Sequence, residues 1–159
     1  MKARLIVLFA LVAAVTLTSV AAAGPDAAKQ RVAIDMKILT EETFVLTPLQ
    51  AGALKRDSGT ITTVERVLSM DGRDVMREGQ RVTIFYPTIW TLEGKRGTLT
   101  IRERSEWVAV GNDDHVAIGT WKVVRGTGQY AELAGSGRSG HAGVGQPWYA
   151  RYEGFVTAP

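Results

Sequence analysis

From Thr98 to Glu106 the even positions are all polar (Thr98, Thr100, Arg102, Arg104, Glu106), whereas the odd positions read Leu99, Ile101, Glu103, Ser105, Trp107 and Ala109. Successive side chains of a strand point to opposite faces, so this stretch predicts a long strand with one wet face and one largely buried face. Turn chemistry brackets it, with Glu93-Gly94-Lys95-Arg96-Gly97 before and Gly111-Asn112-Asp113-Asp114 after, both suited to hairpin connections. The same period of two recurs in Val32–Leu39, Thr43–Leu46, Gly59–Met70, His115–Arg125, Gly135–His141 and Trp148–Thr157. Val82, Ile84 and Tyr86 alternate as well, until Pro87 interrupts before Ile89, Trp90 and Leu92. Proline cannot donate to a central ladder, so a bulge or an edge is expected there.

Helical periodicity is nearly absent after residue 30, and no internal repeat of fixed period is visible. About eight strands follow one another with mostly short connections. The longer ones are Gln50–Ser58 and the polar Asp71–Gln80. A meander of this kind in one small domain predicts a single closed eight-stranded antiparallel β-barrel, because closure removes sticky strand edges. A seven-stranded sandwich is the alternative. Ten of the 17 glycines fall at or after Gly111, and Gly119, Gly135, Gly137 and Gly154 suit places where a small barrel coils sharply.

The first residues follow a different pattern. Met1-Lys-Ala-Arg4 is basic, Leu5–Val20 is sixteen uncharged and mostly apolar residues, and Ala21-Ala22-Ala23 precedes Gly24. This is the order of a secretory signal peptide. Sixteen helical residues reach about 24 Å, short of a bilayer core of roughly 30 Å, which disfavours an uncleaved anchor. The domain plan is therefore a signal peptide over 1–23, a disordered lead-in over 24–30 and the barrel over 31–159, in a secreted or periplasmic protein with no membrane attachment after cleavage.

Composition narrows the chemistry. Without Lys2 and Arg4 the 19 Lys and Arg become 17, against 16 Asp and Glu, a charge of about +1 spread along the chain. That argues against a nucleic-acid partner held through a phosphate-tracking patch. The chain has no cysteine, which removes disulfides, thiolate metal sites and a cysteine nucleophile.

One stretch is more specific than generic strand sequence: Gly119-Thr-Trp121-Lys-Val-Val-Arg-Gly126-Thr-Gly128-Gln-Tyr130-Ala-Glu-Leu133-Ala-Gly135-Ser-Gly137. A later Tyr152-Glu-Gly154-Phe-Val156 accompanies it, with weaker echoes at Asp57-Ser-Gly59-Thr60 and Leu92–Thr100. Residues 57–157 resemble the allene oxide cyclase-like barrel superfamily, which also includes dirigent proteins and many small secreted bacterial proteins. The resemblance implies an eight-stranded barrel with a central cavity, and a homodimer or homotrimer. It implies that Tyr130 and Leu133 plug one end while Gly126 and Gly128 let the chain turn. The likeness lies in the framework, and no catalytic set matches residue by residue.

The candidate site residues are few. Alternation points Glu103 inward with Leu99, Ile101 and Trp107, and Glu65 inward with Ile61, Thr63 and Val67. A carboxylate inside a barrel costs several kcal/mol unless paired, hydrated or neutralised, so both are catalytic candidates. On this basis Glu103 is expected to titrate above an exposed glutamate, and Glu103→Gln to stabilise the fold. A register shift, or pairing with Arg66 or Arg102, is the structural alternative. Tyr86, Trp107 and Tyr152 are candidate walls of a pocket for a small hydrophobic or aromatic ligand, or else core filling. His115 and His141 lack metal spacing, and His141 lies in a glycine-rich stretch expected to be exposed. The glycine patterns Gly126–Ala131 and Gly135–Gly140 lack the helix that a phosphate cradle needs, so no cofactor and no metal is expected. Three functions remain open: a binder of a small hydrophobic or aromatic molecule in the lumen, a cyclase or isomerase using a pocket acid, and a structural or protein-interaction barrel with a filled interior.

Overall fold

In the computed structural model, which describes residues 29–38, 41–66, 73–84, 88–111, 114–144 and 147–158, nearly every residue lies in a strand. The strands are β1 (Lys29–Ile38), β2 (Thr43–Pro48), β3 (Asp57–Arg66), β4 (Arg73–Arg77), β5 (Gln80–Ile84), β6 (Thr88–Gly94), β7 (Gly97–Gly111), β8 (Asp114–Gly126), β9 (Ala134–Gly143) and β10 (Trp148–Thr157). One short 3-10 turn, Gly128–Tyr130, joins β8 to β9. Eight of the strands close a cylinder in the order β1-β2-β3-β6-β7-β8-β9-β10, and β10 returns to β1 from Lys29 opposite Thr157 to Ile38 opposite Trp148. Every pairing is antiparallel. The fold is the closed eight-stranded barrel that the alternation predicts.

One strand corrects the expected plan: β4 lies inside what reads as the polar connection Asp71–Gln80, and it forms a hairpin with β5, the strand expected from Val82 and Ile84, outside the cylinder. β7 is long enough to serve two neighbours, pairing with β6 from Gly97 to Glu103 and with β5 from Glu106 to Val108. The hairpin turns at Glu78 and Gly79, whose φ values of 50° and 82° are those of a two-residue primed turn. Hydrophobic period could not reveal β4, on which Met76 is 69% exposed and Val75 only half-buried. Residues 85–87, including Tyr86 and Pro87, lie outside the described residues, and β5 and β6 end and begin on either side of them.

The expected lead-in also ends sooner. β1 begins at Lys29, and Gln30 is buried, its amide donating to the carbonyls of Gln50 and Leu54 while its oxygen accepts the Leu54 N–H. A glutamine side chain satisfied on both its atoms belongs to the fold, not to a tail. The signal peptide expected over 1–23 lies outside the described residues.

Inward positions build one core: Val32, Ile34 and Met36 from β1, Phe44 and Leu46 from β2, Trp90 and Leu92 from β6, Leu99 and Ile101 from β7, with Trp121, Tyr152 and Val156. Tyr130 and Leu133 are buried with them and plug one end. A carboxylate fixes the plug. Buried Asp57 accepts the Tyr130 hydroxyl at 2.8 Å and the backbone N–H groups of Lys95 and Arg96, each at 3.1 Å. Burial alone would raise its pKa, but these hydrogen bonds outweigh it and hold the carboxyl below its usual range.

Gly128 makes the plug possible. Its φ of 59° is left-handed, and a Cβ there would overlap the Arg96 carbonyl oxygen, to which the next residue, Gln129, donates its N–H at 2.9 Å. Gly140 is the contrast, with nothing nearer a Cβ than the Ala117 carbonyl oxygen at 3.9 Å. Gly128→Ala should therefore destabilise the fold by more than about 1 kcal/mol, and Gly140→Ala should be near neutral. Thermal or urea melts of the two variants check this, and equal shifts would contradict it.

Candidate functional site

β7 carries Glu103 into the lumen, where it is 1% exposed, as its alternation predicts. The carboxylate meets four donors from three other strands. Trp90 Nε1 of β6 donates to Oε2 at 3.0 Å, and the Tyr152 hydroxyl of β10 donates to the same oxygen at 2.7 Å. Ser139 Oγ and His141 Nε2, both from β9, lie 2.5 Å from Oε1. β8 stands between β7 and β9, and its inward residues there are small. Gly119 pairs with both Ser105 and Ser139, and Ala117 with both Trp107 and His141. A Cβ on Gly119 would sit 2.7 Å from Ser139 Oγ, so the absence of a side chain lets Ser139 lean over β8 to reach Glu103.

This environment reverses the expected titration. Burial by itself pushes the Glu103 carboxyl up. The His141 hydrogen bond and charge, followed by Ser139 and Tyr152, outweigh that burial and hold it below the ordinary glutamate value. The sequence reading supplied the desolvation and none of the donors, hence its opposite sign. Glu103 is thus an acceptor of four hydrogen bonds. Tyr152 shows the complementary effect: burial, then the charge and hydrogen bond of Glu103, raise its hydroxyl well above the usual tyrosine value.

His141 is the residue that the sequence reading misplaced. It is 6% exposed and inside the barrel, not in an exposed segment. An ionised carboxylate can only accept, so Nε2 carries the hydrogen that faces Glu103. Nδ1, across the ring, is buried and has no hydrogen-bond partner among the described residues. A cluster of rings lies next to it. The Trp107 ring is 5.1 Å from that of His141 and 5.5 Å from that of Trp148, and the His115 ring is 6.0 Å from Trp148. Trp107 also donates through Nε1 to buried Ser105 at 2.9 Å.

The candidate residues therefore separate. Glu103 and Tyr152 meet directly. Tyr152 is fully buried beneath the aromatic end and donates to the carboxylate, and Trp107 stands at that end. The backbone of Glu65 lies in β3, its side chain is outside the described residues, and so is Tyr86 altogether. Trp90, Ser139, His141 and Gly119 were not singled out for this site. For Ser139 and His141 the available signal was alternation against outward Arg138 and Gly140, masked by four glycines in a ten-residue strand. Among the described residues no group of three or more His, Asp and Glu is placed to hold a metal ion. Compared with family models, curated proteins and solved structures, the chain has no match.

Glu103→Gln should destabilise the fold at neutral pH by about 2–4 kcal/mol, because an amide turns N–H groups toward donors and removes the charge they solvate. The sign with pH follows from a folded pKa below the ordinary value of 4.5. The stability contributed by Glu103 is complete above that value and is lost as pH falls through the lower folded one. Urea denaturation of both proteins across the acid range checks this. A variant as stable as the parent at neutral pH, or one with the same acid dependence, would contradict the assignment.

Proposed function

We propose that the barrel binds one small, largely apolar, aromatic molecule at the end lined by Trp107, His115, His141 and Trp148. The observation that carries this reading is His141 Nδ1, a buried polar atom without a partner among the described residues, beside a group of aromatic rings. Buried polar groups are nearly always satisfied, and an exception beside a cluster of rings suits a ligand that supplies one hydrogen bond while its flat body stacks. The four-donor grip on Glu103 supports it further, since Glu103 fixes which nitrogen of His141 is free and keeps the ring from turning.

A second reading rests on the same pair. In the neutral form of the imidazole, a carboxylate held on one nitrogen leaves the other as a bare acceptor, the arrangement that general bases use. In that case the bound molecule is a substrate of an isomerisation or cyclisation, and His141, not Glu103, exchanges its proton.

The neutral fluorophore N-phenylnaphthylamine is a suitable probe. Its emission should rise saturably with one molecule per barrel, and Trp148→Ala should weaken binding by at least about tenfold. Absence of saturable binding, or identical binding by a Trp148→Ala variant with an unchanged far-ultraviolet spectrum, would overturn the reading.

A further inference from the structure

The outer wall carries a feature that linear sequence conceals. A groove of about 600 Å³ crosses β7, β8 and β9 and is lined by Arg102, Arg104, Thr120, Lys122, Ser136 and Arg138, with Glu103, Trp121 and Gly137 between them. Pairing aligns them in two rows: Arg104 beside Thr120 beside Arg138, and Arg102 beside Lys122 beside Ser136. Four cations and two hydroxyls thus share one face, and the acidic residue in the lining, Glu103, turns its carboxylate to the lumen, where it is 1% exposed.

Three other cations of the barrel find carboxylates. Arg31 pairs with Glu153 at 3.0 Å, Arg151 with Asp35 and with Glu153, each at 2.8 Å, and Lys37 with Glu41 at 3.0 Å. Arg102, Arg104, Lys122 and Arg138 make no hydrogen bond or ion pair among the described residues. Glu153 is the cross-strand neighbour of Arg138, yet both its oxygens are engaged by Arg31 and Arg151. Glu106, which follows Arg104 on the same face of β7, lies outside the groove. Like charges directly opposite on adjacent strands, as Arg102 and Lys122 are, destabilise a sheet. A nearly neutral barrel that gathers four cations without carboxylate partners on one face is suited to an anion from outside.

We propose that this groove is a binding site for a ligand bearing two phosphate monoesters. Each phosphate monoester carries about −1.5 to −2 charges at neutral pH, so two of them balance the four cations. The rows are spaced by two residues along a strand, roughly 6.7 Å, a separation that a sugar or inositol bisphosphate spans. Three of the cations are arginines, whose planar forks grip phosphate oxygens in pairs, and the Thr120 and Ser136 hydroxyls lie one to each row as further donors. The site is on the opposite face of the wall from the lumen and does not depend on what the lumen holds.

The test is isothermal titration with fructose bisphosphate and, separately, with inorganic phosphate, alongside flotation with phosphatidylcholine vesicles with or without phosphatidylinositol bisphosphate. The bisphosphate should bind more tightly than inorganic phosphate and lose affinity as salt is added. The double variant Arg104→Gln/Arg138→Gln should bind at least about tenfold more weakly, while Lys37→Gln, outside the groove, should leave binding unchanged. The melting temperature of the double variant should be equal to or above the parent's, because mutual repulsion has been relieved. Binding of both the soluble bisphosphate and the lipid vesicles supports the site with a headgroup as a source, and binding of the soluble ligand alone supports it with a free metabolite. No bisphosphate binding, equal affinity for inorganic phosphate, or a double variant that binds like the parent would each overturn the proposal.

Discussion

A carboxylate with 1% of its surface exposed must be solvated by the protein itself, and that requirement at Glu103 organises the middle of the barrel. Its four donors come from β6, β9 and β10, so one side chain of β7 ties together strands on both sides of the lumen. The tie matters most for β9, whose sequence AGSGRSGHAG has no apolar pattern to choose a register. Sliding that strand by one residue would turn Ser139 and His141 outward and strand the charge. Where a strand rich in large side chains is positioned by packing, this one is positioned by polar contacts.

The two ends of the cylinder differ because different chemistry closes them. At one end Asp57 gathers the Tyr130 hydroxyl and the turn between β6 and β7, and the plug continues directly into the apolar core. At the other end the core gives way to the Glu103 cluster and then to Trp107, His115 and Trp148. Two buried carboxylates, each ionised by the donors around it, thus bound the apolar interior. One serves only to hold backbone and a plug, and the other sits beneath a ring with an unpartnered nitrogen. That difference is why the lumen reading favours the aromatic end.

Alternation made the barrel legible, and it placed Glu103 inside, because a strand buried on one face writes its geometry into every second residue. It failed where the determining partners were remote in sequence. The pKa of Glu103 depends on residues 13, 36, 38 and 49 positions away along the chain, which no local window contains. His141 looked exposed because glycine neighbours suggest loop, whereas in β9 they allow close strand approach. β4 was hidden for the opposite reason: with Met76 exposed and Val75 half-buried it shows no hydrophobic period. The four groove cations likewise sit on three strands and look scattered until the pairing aligns them.

The seam between β1 and β10 has a kinetic consequence. The first strand of the barrel pairs along its whole length with the last, so the contacts that close the cylinder are the most distant in sequence. Closing such a loop costs entropy before any seam hydrogen bond repays it, which makes high contact order and slow folding intrinsic to this topology. Until Thr157 reaches Lys29, both flanking strands expose open hydrogen-bonding edges, and a chain shortened at either terminus would keep one permanently. Conversely, the adjacency of Lys29 and Thr157 places the two ends of the barrel chain side by side, the arrangement in which they can be joined and the chain reopened at an exposed turn such as Glu78–Gly79.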